Sequence, residues 1–305
     1  MSEAAAPAKA SRRRLLPWIS LVVVWLVWGS TYLAIRVLVH EAPPLIAASS
    51  RFFCAGLLMG GMALFIDRRH GWPTRQQWFD YSLVGVLLLT IGNGLVMWSE
   101  RIVPSGTAAL IVATVPVWIL VLEGLRPHGE PWTLRVWAGT AIGLAGVALV
   151  ARPGAGMSSG HWLAILGLQV ACIAWTLGSL YAQAVPRKLP LASAAAIEML
   201  AGSLALGFAS RIFAEDASRL SAVSPRALGA FAYLIVFGSL VGFTAFAFCL
   251  NELPATTVGT YAYVNPVVAV FLGWLILGES LTPGLLVGGS LIVLSVVLTT
   301  LRKRR

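Results

Sequence analysis

The sequence predicts an all-α integral membrane protein with ten transmembrane helices in two inverted five-helix repeats. Three observations carry that prediction. The first is composition. Of 305 residues, 58% are hydrophobic and 11% charged, and the mean hydropathy is +0.83, far outside soluble-domain norms, so the chain needs lipid as its solvent. The second is a set of ten runs of about 20 mostly apolar residues, the length at which a helix crosses a hydrocarbon core. The third is a weak internal copy, in which the second half repeats the first at an offset near 150 residues.

The ten runs lie near Trp18 to Val39, Leu45 to Ile66, Ser82 to Trp98, Gly106 to Leu125, Leu134 to Ala151, Trp162 to Ala182, Leu191 to Phe213, Leu228 to Leu250, Ala255 to Leu277 and Gly284 to Leu301. Lipid offers no partner to an exposed backbone group, and runs this uniformly apolar suit helices, not the alternating strands of a barrel. The segment before the first run, with Arg12, Arg13 and Arg14, has the charge of a signal peptide. The apolar stretch behind it is too long and lacks a small-residue cleavage pattern, so it is read as a retained span. Cys54, Cys172 and Cys249 all fall inside predicted spans, where a thiol packs as a small hydrophobe; they imply neither disulfides nor a metal, and no cofactor is expected.

The repeat runs the length of the chain. At an offset of 150, Pro104, Thr107, Pro116, Val117 and Leu122 fall on Pro254, Thr257, Pro266, Val267 and Leu272. At 149, Gly129, Glu130, Thr133, Gly139 and Val147 fall on Gly278, Glu279, Thr282, Gly288 and Val296, and Gly29, Ser30 and Tyr32 on Gly178, Ser179 and Tyr181. The halves are placed at residues 17–152 and 160–301. Five spans precede the second copy, so that copy enters the membrane from the opposite side. Inverted repeats are a mark of transport proteins, in which exchanging the roles of the halves gives alternating access.

Orientation follows from the 22 Lys and Arg residues, because basic loops stay cytoplasmic. With the N-terminus inside, 15 of them fall on the cytoplasmic side and five on the other, and Arg36 and Arg51 lie inside spans. Both termini are therefore expected in the cytoplasm. The net charge of +10 is mostly this signal plus contact with anionic lipid. Scattered in short loops, the basic residues form no nucleic-acid face.

The residues resemble a family, the EamA-type branch of the drug/metabolite transporter superfamily. The resemblance rests on Trp28, Gly29, Ser30, Thr31 and Tyr32 in the first span, Pro116 in the fourth, Tyr263, Val264, Asn265 and Pro266 in the ninth, and the Gly278 and Glu279 turn before the last. It implies a bacterial inner-membrane secondary carrier of ten helices, usually an exporter of amino acids, other small metabolites or toxic compounds, with an uptake permease as the alternative. Substrate, coupling ion and oligomeric state stay open.

Three groups of residues are candidates for the transport path. Pro116 and Pro266, at equivalent positions within spans, each remove a backbone hydrogen bond and can kink a moving helix; packing proline is the plainer reading. Among aromatics, Trp28, Tyr32, Trp175, Tyr181, Tyr261 and Tyr263 can line a pocket and stack on a ligand or cover a cation, although Trp and Tyr also mark membrane interfaces. Asn265 and Asn93 add amides at depth. Charged groups inside a span are costly and default to function. Arg51 can hold a carboxylate with its planar fork, and Glu198, the only acidic residue well inside a predicted span, can carry a coupling proton or bind a cationic group. The plainer reading for both is a structural contact or snorkelling, and Arg36 and Glu123 are read as snorkelling.

Competing classes fare worse. No Walker-type motif points to ATP use. A membrane enzyme would cluster acid, base or metal-binding groups, yet His40, His70, His128 and His161 stand in predicted loops or at span ends. Loops this short offer little surface to a signalling partner.

Overall fold

The computed structural model describes residues 6–67, 71–125, 133–150, 159–186, 188–253, 258 and 260–300. These residues form helices joined by short turns, with no strand among them. Seven helical stretches are long and apolar enough to cross a membrane: Leu15–Val39, Pro44–Ile66, Arg75–Ser99, Ser105–Glu123, Gly160–Ala184, Leu191–Ile212 and Pro225–Phe246. Three further apolar helices, Trp137–Val150, Val264–Leu277 and Pro283–Leu298, are shorter.

Local chemistry sets the helix ends. α1 (Ala6–Val39) begins well upstream of the first apolar run and carries Pro17 inside it; Ala, Lys and Arg in that extension are strong helix formers. α2 (Pro44–Ile66) opens with proline at a position that needs no N–H. α3 (Arg75–Gly85) is closed by a capping box in which Thr74 and Gln77 exchange side-chain and backbone bonds.

The third predicted span is not one α-helix. After α3 it passes through a π-helical segment, Val86–Asn93, and ends in α4 (Gly94–Ser99). The eighth does the same: α10 (Pro225–Tyr233), a π-helical segment Leu234–Val241, and α11 (Gly242–Glu252). The fourth is broken into α5 (Ser105–Val112) and α6 (Val115–Glu123). Pro116 has no N–H to offer the preceding turn, and the Thr114 hydroxyl donates to the Ile111 carbonyl at 2.7 Å. The others are α7 (Leu134–Val150), α8 (Ser159–Ala184), α9 (Leu191–Ile212), α12 (Tyr261–Leu277) and α13 (Pro283–Thr300). Gly278 ends α12 with a φ of 67°, a left-handed cap that suits glycine. Gly129 and Glu130, the expected counterparts of Gly278 and Glu279, lie outside the described residues.

Packing pairs helices from the two halves. α2 lies along α9 and α7 along α13, while α1 packs on α12, α10 and α11, and α8 on α4, α5, α6 and the first π segment. α7 and α13 approach closely on both sides: a Cβ on Gly146 would lie 2.7 Å from the Gly288 carbonyl, and one on Gly288 2.7 Å from the Gly146 carbonyl. On the same seam Ser295 Oγ donates to the Gly139 carbonyl at 2.6 Å. Phe52, Met59, Leu89, Met97, Leu168, Met199 and Leu206 fill the interior, whereas Phe65, Leu204, Phe208 and Trp274 point outward as they would toward lipid.

Four carboxylates tie these helices together at their ends. Asp67 accepts from the Ser193 N–H (3.1 Å) and hydroxyl (2.7 Å) at the start of α9. Glu215 accepts from the Leu45 and Ile46 N–H groups (3.1 and 2.9 Å) at the start of α2. Glu41 accepts from the Ser224 N–H and hydroxyl (2.7 and 2.8 Å), next to α10. These bonds hold the Glu41 carboxyl below its usual titration range. Glu279, turned by Gly278, accepts from the Ser105 N–H at 2.8 Å and the Gly106 N–H at 3.2 Å. Each places a negative charge on the positive end of a helix.

Candidate functional site: a cavity between the halves

A cavity of about 100 Å³ lies in the middle of the bundle. α1 contributes Trp28, Thr31, Tyr32 and Ile35; α2 contributes Arg51; the first π segment and α4 contribute Gly92, Asn93 and Val96. The break in the fourth span opens Val112, Ala113 and Val115 onto it. From the second half come Ala171, Cys172 and Trp175 of α8, Gly238 and Phe243 of the eighth span, and Tyr261, Ala262, Asn265 and Pro266 of α12.

Trp28 is the hub of the aromatic wall. Its ring centroid lies 6.5 Å from that of Trp175, 5.6 Å from Phe243, 4.9 Å from Phe246 and 5.5 Å from Tyr261. The Trp175, Phe243 and Tyr261 contacts are edge-on, the arrangement that ring quadrupoles favour. Its Nε1 donates to the Gly238 carbonyl at 3.3 Å. The eighth span can come this close only because residue 242 is glycine, where a Cβ would stand 2.4 Å from Trp28 Nε1. Asn265 is best oriented with its amide nitrogen donating to the carbonyls of Tyr261 (3.2 Å) and Trp25 (3.1 Å). That bond crosses from α12 to α1. Arg51, 3% exposed, donates from Nε to Ser239 Oγ at 3.1 Å.

The structure therefore brings Trp28, Tyr32, Arg51, Asn93, Trp175, Tyr261, Asn265 and Pro266 to one cavity. Others stand apart from it. Tyr181 is six residues beyond Trp175 on α8, about 9 Å along the axis and on another face, and its hydroxyl is hydrogen-bonded to Asp80 at 2.8 Å. Glu198 is half-buried on α9, where its backbone packs on Gly85, whose Cβ would lie 2.2 Å from the Glu198 carbonyl. Pro116 follows the break in the fourth span at the second position of α6. The Tyr263 side chain lies outside the described residues.

Two features escaped the sequence reading. Glu100, just past the end of the predicted third span, is fully buried, and neither carboxylate oxygen has a hydrogen-bond partner among the described residues. Arg36, expected to extend to the interface, instead donates from Nη1 to the Glu100 carbonyl. The signal lay in a charged pair, Arg36 and Glu100, at the same ends of the first and third spans. Thr31, Cys172 and Phe243 were also missed, because nothing in an apolar run marks which face looks inward.

The model of the EamA-like transporter family matches this chain twice, at residues 16–152 and 162–301. Over 294 residues the chain is 40% identical to the uncharacterized inner membrane transporter YedA of Escherichia coli strain K12, covering 95% of this chain and 93% of that protein. It is 27% identical to the probable terminal-alkyne amino-acid exporter of Streptantibioticus cattleyicolor, with 94% and 95% covered. It is also 27% identical to the S-adenosylmethionine/S-adenosylhomocysteine transporter of Chlamydia muridarum, with 88% and 86% covered. A solved crystal structure superposes with a TM-score of 0.64 at 19% identity, covering 93% of this chain and 96% of that one, a likeness of fold.

Proposed function

This chain belongs to the EamA-like transporter family, and from that premise we propose that its central cavity is the substrate site of a secondary carrier. It exports small metabolites, amino acids or drug-like compounds across the bacterial inner membrane by alternating access. The observation that carries this reading is the origin of the cavity wall: the first, third and fourth spans and their counterparts, the sixth, eighth and ninth, all contribute to it. In inverted-repeat carriers the site commonly lies at the repeat interface near the membrane midplane.

In this reading the seven long and three shorter apolar helices are ten spans, five in each half at residues 17–152 and 160–301. Three relationships support the inverted arrangement. The π segments begin at Val86 and Leu234, 148 residues apart. The Gly146–Gly288 approach becomes the Ser295–Gly139 contact when each residue is replaced by its counterpart at an offset of 149. Asp67 and Glu215, also 148 residues apart, cap each other's helix. The loop charges support a cytoplasmic location for both termini and for the Asp67 end of the bundle. Glu198 is the proposed carrier of a coupling proton, because a half-buried carboxyl at a helix contact can exchange a proton as the contact opens.

A thermal-stabilisation screen of metabolites and drugs on purified protein finds ligands, and proteoliposomes loaded with a hit then test exchange and direction. A carrier moves the hit across the bilayer. A ligand that stabilises the protein yet crosses in neither direction contradicts the reading, and net accumulation inward under a physiological gradient replaces export by uptake. Reporter fusions after Arg305 and within the Arg211 to Arg226 loop are expected on opposite sides; the same side would refute the ten-span topology.

A further inference from the structure

We infer that the cavity selects anions: its occupant carries a carboxylate, held by Arg51, on a compact aromatic or branched apolar body. This rests on reading the cavity as the substrate site. Arg51 is 3% exposed and lines the cavity, yet its five-donor fork is only partly used. Nε is bonded to Ser239 Oγ, and the guanidinium carbon stands 4.7 Å from the centre of the Phe52 ring. Nη1 has no hydrogen-bond partner among the described residues. Gly238 leaves room for the fork, since a Cβ there would lie 3.0 Å from Nη2.

A buried guanidinium without a counter-charge is costly, and none of the described residues lining the cavity is acidic. The missing negative charge is supplied by the occupant. Several other donors in the wall are spent on the protein's own carbonyls: Thr31 Oγ1 on Trp28 at 2.6 Å, Trp28 Nε1 on Gly238, and the Asn265 amide on Tyr261 and Trp25, and those of Asn93, Tyr32 and Tyr261 are neutral. A carboxylate matches the planar fork in shape as well as charge, whereas a doubly charged phosphate ester would bring one charge too many. In the same cavity wall, the rings of Trp175, Phe243 and Tyr261 offer apolar surface for the body. In this conformation about 100 Å³ is available, of the same order as the roughly 150 Å³ cavity that holds benzene elsewhere.

The test uses the full chain in detergent and three one-ring probes: benzoate, the neutral benzamide and the cationic benzylamine. Binding is read by calorimetry and by quenching of tryptophan fluorescence. Benzoate is expected to bind about 10- to 100-fold tighter than benzamide, the range for a charge-assisted hydrogen bond, and benzylamine more weakly than either. Arg51→Gln, checked for folding by its melting temperature, should bind benzoate and benzamide alike. Ser239→Ala keeps the charge but loosens the fork, and should narrow the preference for benzoate even if Arg51→Gln fails to fold. Equal binding of benzoate and benzamide, an unchanged preference in Ser239→Ala and folded Arg51→Gln, or no benzoate binding by the folded wild type would overturn anion selection. The carrier reading stands or falls separately, on whether the cavity opens to both faces of the membrane.

Discussion

Asp67 and Glu215 cap the two helices of one antiparallel pair from opposite ends. Asp67, just past the end of α2, closes the first turn of α9 through Ser193, and Glu215, just past the end of α9, closes the first turn of α2 through Leu45 and Ile46. Each satisfies N–H groups that have no partner within their own helix. In the proposed two-repeat arrangement, exchanging the halves turns one contact into the other.

Asp67→Ala and Glu215→Ala should therefore cost similar amounts, about 0.5–2 kcal/mol each, as for other lost caps. The sites lie at opposite ends of the pair, so the double variant should show additive loss. Denaturation in detergent measures all three. A large loss at one end with none at the other would break the equivalence.

Gly85 tests the contact between the third and seventh spans. Its Cβ would meet the Glu198 carbonyl at 2.2 Å, whereas nothing lies within 4 Å of one on Gly61. Gly85→Ala must push backbone away from backbone, and about 1–3 kcal/mol of destabilisation is expected. Gly61→Ala should be neutral or slightly stabilising, because alanine is the better helix former. Melting temperatures of the two variants in the same detergent decide it; equal values would place the helices farther apart than described.

Pro116 and Pro266 are expected to matter for turnover more than for folding. Pro116 stands directly after the break between α5 and α6, and Pro266 lies inside α12 on the cavity wall. Replacing either by Ala restores a backbone donor and favours a straighter, more continuous helix, which resists the bending that a lid-like motion needs. Membrane yield should stay near wild type while the exchange rate falls severalfold. Full exchange by both variants would remove the mechanical role.

Glu198→Gln keeps the shape and hydrogen bonding of the side chain but fixes it neutral. If Glu198 carries the coupling proton, the variant should still bind substrate and lose the pH dependence of transport in proteoliposomes. A lower melting temperature with an unchanged pH profile per folded molecule would leave Glu198 as a packing residue and move coupling elsewhere.

Much of this architecture was legible in the sequence, because runs of apolar residues and their spacing report directly on a membrane. The cavity was legible where a residue was unusual for its depth: Trp28, Arg51, Asn93 and Asn265 all line it. Tyr181 was equally unusual, but six further residues of helix turned it away to Asp80. The π segments were not legible, since Val86–Asn93 and Leu234–Val241 read as ordinary apolar helix. Neither were the caps of Asp67 and Glu215, which join residues far apart in the chain and exist only once the halves are packed. Glu100 was hidden by its place past a span end, where a carboxylate is ordinarily solvated.

Cys172 offers the most direct measurement of the central claim. It is 1% exposed and lines the cavity, where its thiol lies 3.7 Å from the Ile111 carbonyl. With Cys54 and Cys249 replaced by Ala, it is the sole thiol of the chain. A membrane-impermeant maleimide is added to right-side-out and to inverted vesicles, with and without a ligand from the stabilisation screen. Alternating access predicts that Cys172 reacts from both sides, in each case more slowly when ligand fills the cavity. Reaction from one side alone, with or without ligand, would contradict it.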